Sequence, residues 1–300
     1  MASIKARLIP AGTFLLRFLP RPAAIALAYI VGDLCGLLCT ARRQAIDRNL
    51  SRTAPGAGTS DRRRLRRATF RHFAAIWVDF LRVPLLTRGA IVDLVRWNTR
   101  GNLDTALQQG KGAIIMTAHV GALDLAGIYL AALGYPISVV VEGIEPALYD
   151  VWRRYRASTG MRVLSRRRGA VAAYRALRRG EVVAVVADRV IDGPRLEVDF
   201  CGDRRVVPVG PAAFALRTGA PVVLLQITRR DDGSGYDLVT EPAMTPSGTT
   251  EEVIQSIALE LARIVRRFPE QWFVFDAGWL GERAERPRPP IRQWHERGAR

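Results

Sequence analysis

In the segment Thr117-Ala118-His119-Val120-Gly121-Ala122-Leu123-Asp124, the types and spacing of His119 and Asp124 suit proton-transfer chemistry. An imidazole held in one tautomer by a carboxylate can take a proton from a hydroxyl. The flanking residues must position that pair. The apolar run Ala113–Ala118 predicts a strand that delivers His119 to the carboxyl end of a sheet, where α/β folds place ligands. Gly121 permits a tight turn, and Gly121–Leu133, closed by Gly134, predicts a helix. Helical side chains lean toward the N-terminus, so Asp124 is expected to point back at His119 and orient it. The bare pattern is short. With 28 acids in 300 residues, an acid at a fixed offset from a histidine arises by chance about one time in ten. A histidine at a strand end, bonded to a helix carboxylate for structural reasons alone, has the same appearance.

The surrounding elements form an alternating series. Strands are predicted at Ile137–Val141, Met161–Leu164, Val182–Ala187 and Pro221–Thr228, with an edge strand at Tyr236–Val239. Helices are predicted at Trp152–Thr159, Ala170–Arg179 and Pro211–Arg217, with an amphipathic helix at Thr250–Arg267. This alternation implies an α/β fold: a single domain with a mostly parallel central sheet flanked by helices. Upstream, Ser51–Ser60 reads as a loop, Asp61 as an N-cap, and Arg62–Leu81 as a helix. Apolar residues recur at helical spacing along that helix, while arginines crowd its first half. A basic helix start opposes the dipole, so those arginines are expected to meet an external anion.

The N-terminus is apolar. Leu8–Leu19 is broken by Pro10 and Arg17, and Ala23–Ala41 is interrupted by Asp33. The second run approaches the length of a bilayer span, but Asp33 near its middle would cost several kcal/mol there. It has no signal-peptide cleavage site, since arginines follow Ala41. Two readings stand: helices lying in a membrane interface, or a buried core helix. The expected organisation is therefore N-terminal membrane-associating helices over residues 1–50, an α/β domain over 51–285, and a basic tail over 286–300.

The chain carries +17, and all its cations except Lys5 and Lys111 are arginine. Such a charge implies an anionic partner, and guanidinium suits bidentate phosphate contact. Nucleic acid is not expected, because no helix-turn-helix, RNA-recognition or zinc signature is present. The absence of a GxSxG elbow disfavours a serine hydrolase. Cys35, Cys39 and Cys201 have no activating base at a recognisable spacing and read as small hydrophobes. A non-catalytic membrane scaffold is the remaining competing class.

His119-x4-Asp124 resembles motif I of the glycerolipid acyltransferase superfamily, and the rest of the chain is similar to its lipid A and phosphatidylinositol mannoside branch. The resemblance runs through Arg42-Arg43, Asn49-Leu50, Tyr155-Arg156-x3-Gly160-Met161, Ala187-Asp188-Arg189 and Glu197-Val198-Asp199-Phe200-Cys201-Gly202. It continues through Pro208-x-Gly210-Pro211-Ala212 and Thr218-Gly219-Ala220-Pro221 to Pro269-Glu270-Gln271-Trp272. Lipid A enzymes usually carry Glu where this chain has Asp124. They also follow PEQW with a basic cluster, where this chain has Phe273-Val274-Phe275-Asp276. Both departures favour a phosphatidylinositol mannoside acceptor, with lipid A or a lysophospholipid as the alternatives.

The resemblance implies direct transfer of an acyl chain from acyl-CoA or acyl carrier protein, as co-substrate, to a hydroxyl of a glycolipid, without a metal or other cofactor. His119 would be the general base and Asp124 its partner. Backbone amides around Val120 and Gly121, or an arginine, are candidate donors to the oxyanion. Arg156 and Arg189 are candidates for phosphate binding. Glu142, Asp188 and Glu197 are candidates for contacting the acceptor, or else for ordinary structural hydrogen bonding. Anionic membrane lipids are expected partners. The implied location is the cytoplasmic face of the bacterial inner membrane, peripheral or monotopic.

Overall fold

The computed structural model describes residues 4–141, 146–190, 193–275 and 278–280. Four helices open the chain: α1 (Ile4–Leu16), α2 (Arg21–Leu38), α3 (Thr40–Thr53) and α4 (Thr59–Arg82). Pro20 and Pro22 set the entry to α2, where a missing amide proton costs nothing. The expected loop over 51–60 is shorter than the Gly/Ser/Thr/Pro content suggests, because α3 continues to Thr53. Gly58 occupies the N-cap of α4, and Asp61 sits in its first turn, where a carboxylate suits the dipole.

Helix α2 runs antiparallel along α4. At one end, Arg21 donates from Nε and Nη2 to the two carboxylate oxygens of buried Asp79, at 2.8 Å each, and Tyr236 donates to the same carboxylate at 2.7 Å. Farther along, Gly32 approaches so closely that a Cβ would stand 2.8 Å from the Phe70 carbonyl. Next to it Asp33 accepts from both Arg67 and Arg71 at 2.7–2.9 Å. Those hydrogen bonds, Arg67 first, hold the Asp33 carboxyl well below the usual range. Arg66 likewise pairs with Asp47 at 2.7 Å. Arg66, Arg67 and Arg71 in the first half of α4 thus find internal carboxylates in place of an external anion.

Helix α2 carries features of both readings of Ala23–Ala41. One face, with Ala24, Ile25, Ala28 and Gly32, is buried on the protein. The other exposes Leu27, Ile30, Val31, Leu34, Leu37 and Leu38, and α1 with the turn after it adds exposed Phe14, Leu15 and Phe18. Helix α2 is also long and apolar enough to cross a membrane by length and composition.

The sheet domain follows as α5 (Arg88–Asp93), β1 (Val95–Trp97), α6 (Arg100–Gln108), β2 (Ala113–Thr117), α7 (Leu123–Ala132) and β3 (Ile137–Val141). Then come α8 (Pro146–Ala157), β4 (Arg162–Ser165), α9 (Arg166–Arg178), β5 (Val182–Val186), β6 (Arg195–Phe200) and β7 (Asp203–Pro208). The series ends with α10 (Gly210–Thr218), β8 (Val222–Arg229), β9 (Tyr236–Thr240) and α11 (Thr250–Arg267). The seven-stranded sheet has the order β1-β9-β8-β2-β5-β3-β4. From β8 to β4 every pairing is parallel, while β9 is antiparallel to β8. Strands β2 and β8 are buried along their whole length, as expected of a sheet covered on both faces. The predicted mostly parallel α/β domain is the one observed.

Two features depart from expectation. Strand β9 is not at the edge: β1 pairs with it in parallel and takes the outer position. At three residues, β1 is too short to show a period. Strands β6 and β7 form a separate antiparallel hairpin. Its turn, Cys201-Gly202, places both residues at positive φ, +52° and +77°, as a two-residue hairpin requires. The inward side of the hairpin carries Val198, Phe200, Val207 and fully buried Arg205.

Candidate active site

His119 and Asp188 each lie two residues beyond a strand, β2 and β5 respectively. The two strands pair in parallel with Thr117 opposite Val186, so the register carries His119 and Asp188 to neighbouring positions at the carboxyl end of the sheet. Their side chains meet there: His119 Nδ1 is 2.7 Å from Asp188 Oδ1, and the His119 amide donates to Oδ2 at 2.9 Å. Trp272 Nε1 donates to the same Oδ2 at 2.7 Å. Buried Arg205 donates from Nε to the Asp188 carbonyl at 3.2 Å, and its guanidinium sits 4.9 Å from the ring centres of both Trp272 and Trp279.

Asp188 is wholly buried, whereas the His119 side chain is 29% exposed. Burial by itself would raise the Asp188 pKa. The His119 charge, with hydrogen bonds from the His119 ring, the Trp272 indole and the His119 amide, brings it down to about 2. A depressed carboxylate pKa contributes stability above the unfolded value of about 3.9, and that stability is lost as pH falls toward 2. Near neutrality Asp188 is therefore an acceptor, which assigns the proton of the shared bond to Nδ1. Nε2 then has a lone pair.

No hydrogen bond or ion pair joins Asp124 to the imidazole. The Asp124 carboxylate accepts from Arg156 Nε, at the end of α8, at 2.6 Å. The intervening backbone explains the difference. Gly121 has φ +66°, and a Cβ there would overlap the Ile227 carbonyl of β8, so the chain turns hard against the sheet before α7 begins. That turn leaves His119 facing β5 and Asp124 facing α8. The same turn uses the amides expected to serve an oxyanion: Gly121 N donates to the Gln271 carbonyl at 2.9 Å, and Val120 N to the Ala118 carbonyl at 2.6 Å.

His119, Asp124, Arg156 and Arg189 all line one cavity of about 310 Å³, at the lower end of the range for small-molecule sites. Below this polar mouth it is walled by apolar residues of the sheet and α7. Arg156 is mostly buried, and its Nη1 has no hydrogen-bond partner. A buried guanidinium nitrogen left unpaired is costly. Other parts of the Arg156 side chain line the cavity.

Two candidates, Asp188 and Glu197, are not among the residues that line this cavity. Asp188 is behind the imidazole and both its oxygens are taken by protein donors, so it is closed to an acceptor. Glu197 is exposed on β6 and lines a surface groove against α11, away from His119. Glu142 lies outside the described residues. His72 is structural: burial, then the Arg229 charge, pushes its pKa down to about 4. In the sequence Trp272 enters only through the Pro269-Glu270-Gln271-Trp272 resemblance, and no motif singles out Arg205. The alternation of β7, which turns Arg205 and Val207 inward together, is the signal that marks the arginine.

A family model described as bacterial lipid A biosynthesis acyltransferase matches residues 4–281; the chain belongs to that family and is an acyltransferase. The chain is similar to phosphatidylinositol mannoside acyltransferase of Mycolicibacterium smegmatis, with 27% identity over 82% of each chain. Its counterpart in Mycobacterium tuberculosis is 29% identical over 75% of this chain and 73% of its own. The lipid A biosynthesis lauroyltransferase of Escherichia coli is 22% identical over 88% and 86%.

Proposed function

We propose that this protein transfers a fatty acyl group from an acyl thioester, acyl-CoA or acyl carrier protein, to a hydroxyl of a phosphatidylinositol mannoside or closely related glycolipid. The observation that carries the reading is the His119–Asp188 pair standing at the mouth of a largely apolar cavity. The similarity to two mycobacterial phosphatidylinositol mannoside acyltransferases, over three-quarters or more of this chain, supports the acceptor.

In this mechanism the acceptor hydroxyl attacks the thioester carbonyl while Nε2 of His119 takes its proton. Asp188 holds Nδ1–H and stabilises the imidazolium that forms. A carbon–oxygen bond forms and the carbonyl oxygen becomes an oxyanion. The Arg156 guanidinium donates to it, with Asp124 fixing that group through Nε. The carbon–sulfur bond then breaks, and the departing thiolate is reprotonated by His119. Arg189, at the same mouth, binds a phosphate of donor or acceptor. The acyl chain lies in the apolar part of the cavity.

The exposed apolar faces of α1 and α2 are read as seated in the cytoplasmic face of the inner membrane, with flanking arginines on anionic headgroups. Replacing Phe14, Phe18 and Leu34 together by serine is expected to lower partitioning onto anionic vesicles by at least about tenfold, since each buried methylene contributes about 0.8 kcal/mol. Vesicle co-flotation measures it, and unchanged partitioning would remove these helices as the anchor.

The function is tested by free-thiol release from palmitoyl-CoA, with and without a phosphatidylinositol mannoside extract, in wild type and His119→Ala. Acceptor-dependent release that collapses in the variant, with labelled acylated mannoside as product, is the expected result. Release that is equal in the variant would overturn the role of His119. Product formed only on a lipid A precursor would move the acceptor.

A further inference from the structure

The cavity beneath His119 has one adjustable wall. It lies between the sheet and α7, with Thr117, Leu123, Ile115, Ile137 and Leu130 among its lining residues. From Leu123 to Leu130 the helix rises about 10 Å, which sets the depth of this wall. The apolar side chains lining it are Val, Ile, Leu and Ala, except for Met161. Branched side chains on strands and helices are restricted to few rotamers. Methionine is unbranched, has three rotatable bonds and fills irregular gaps.

Met161 stands just ahead of β4, after Gly160 at φ +99°, and is nearly fully buried. Opposite it α7 presents Gly127, which leaves a notch in the helix surface. Met161 Sδ occupies that notch so closely that a Cβ on Gly127 would overlap the sulfur. The thioether is thus lodged in a socket of the helix while its flank lines the cavity. A side chain on residue 127 would expel it from the socket, and a smaller residue at 161 would open the socket to the cavity.

We propose that Met161, socketed by Gly127, is the stop that sets how long an acyl chain the cavity accepts. The proposal rests on the reading of this cavity as the acyl site. Met161→Ala adds the socket to the cavity, so the preferred donor becomes longer. Gly127→Ala displaces the thioether into the cavity, so the preferred donor becomes shorter. The opposite signs matter, because general loosening of the core would move both variants the same way.

The test is the kcat/KM ranking of octanoyl-, lauroyl-, myristoyl-, palmitoyl- and stearoyl-CoA for wild type and the two variants. The same ranking is read without turnover from the thermal shift that each acyl-CoA produces, since a ligand stabilises the folded state it binds. One methylene in an apolar pocket is worth about 10- to 200-fold in discrimination. The ratio of the rate on the next longer donor to that on the wild-type optimum is therefore expected to rise at least about tenfold in Met161→Ala and to fall in Gly127→Ala. Rankings that move oppositely in the thermal shifts while no enzyme turns over would uphold the stop and overturn the acyl-transfer reading. Turnover with an unchanged ranking in both variants, or no dependence on chain length in either readout, would overturn the stop.

Discussion

Asp188→Asn is expected to lower kcat by about 10³- to 10⁴-fold while leaving the fold intact. The reason is the tautomer. Asp188 Oδ1 accepts from Nδ1, which leaves the Nε2 lone pair for the acceptor's proton. An asparagine amide in that position donates instead, so Nδ1 becomes the acceptor and the ring proton moves to Nε2, where it blocks the base. The Asn oxygen still accepts from the His119 amide and Trp272 Nε1, at the place now held by Oδ2. Asp188→Ala is expected to be worse for stability, because each buried donor left unpaired costs about 1–3 kcal/mol. Steady-state rates together with thermal unfolding separate the two effects. If Asp188→Asn retained more than a tenth of wild-type kcat, the imidazole would have to be oriented by something else.

The second large effect is at Arg156. Arg156→Lys is expected to reduce kcat by about 10²- to 10³-fold, the usual cost of losing one oxyanion donor. Lysine keeps the charge but lacks the planar fork that binds Asp124 through Nε while the guanidinium lines the cavity. Asp124 acts through that arginine, so its own replacement by Ala should be less severe. The decisive variant is the double one. If Asp124 serves only to hold Arg156, Asp124→Ala adds almost nothing once Arg156→Ala is present, because residues acting as a unit are non-additive. If Asp124 had an independent role on His119, the two losses would multiply. Single-turnover rates on all four combinations give the answer.

The stop at Met161 and the dyad at Asp188 share an origin: both depend on which element lies beside which. The alternation of strands and helices, the delivery of His119 by the run Ala113–Ala118, and the turn at Gly121 are local properties, and each is visible in the chain. Asp124 is near His119 in the chain, and nearness in sequence made it the natural partner. The actual partner is 69 residues away.

What the sequence determined by itself is the class of fold, the histidine at the end of a central strand, the apolar N-terminal helices and the ordered motifs that carry family membership. Periodicity, breakers and residue type fix these because they act over a few residues at a time. What only the tertiary structure decided is the pairing of β2 with β5 in a register that sets His119 against Asp188. It also decided the turning of Asp124 toward Arg156, and the folding of the C-terminal segment that brings Trp272 onto the buried carboxylate. Parallel strand order is decided by packing between elements distant in sequence, and no local pattern in either strand names its neighbour.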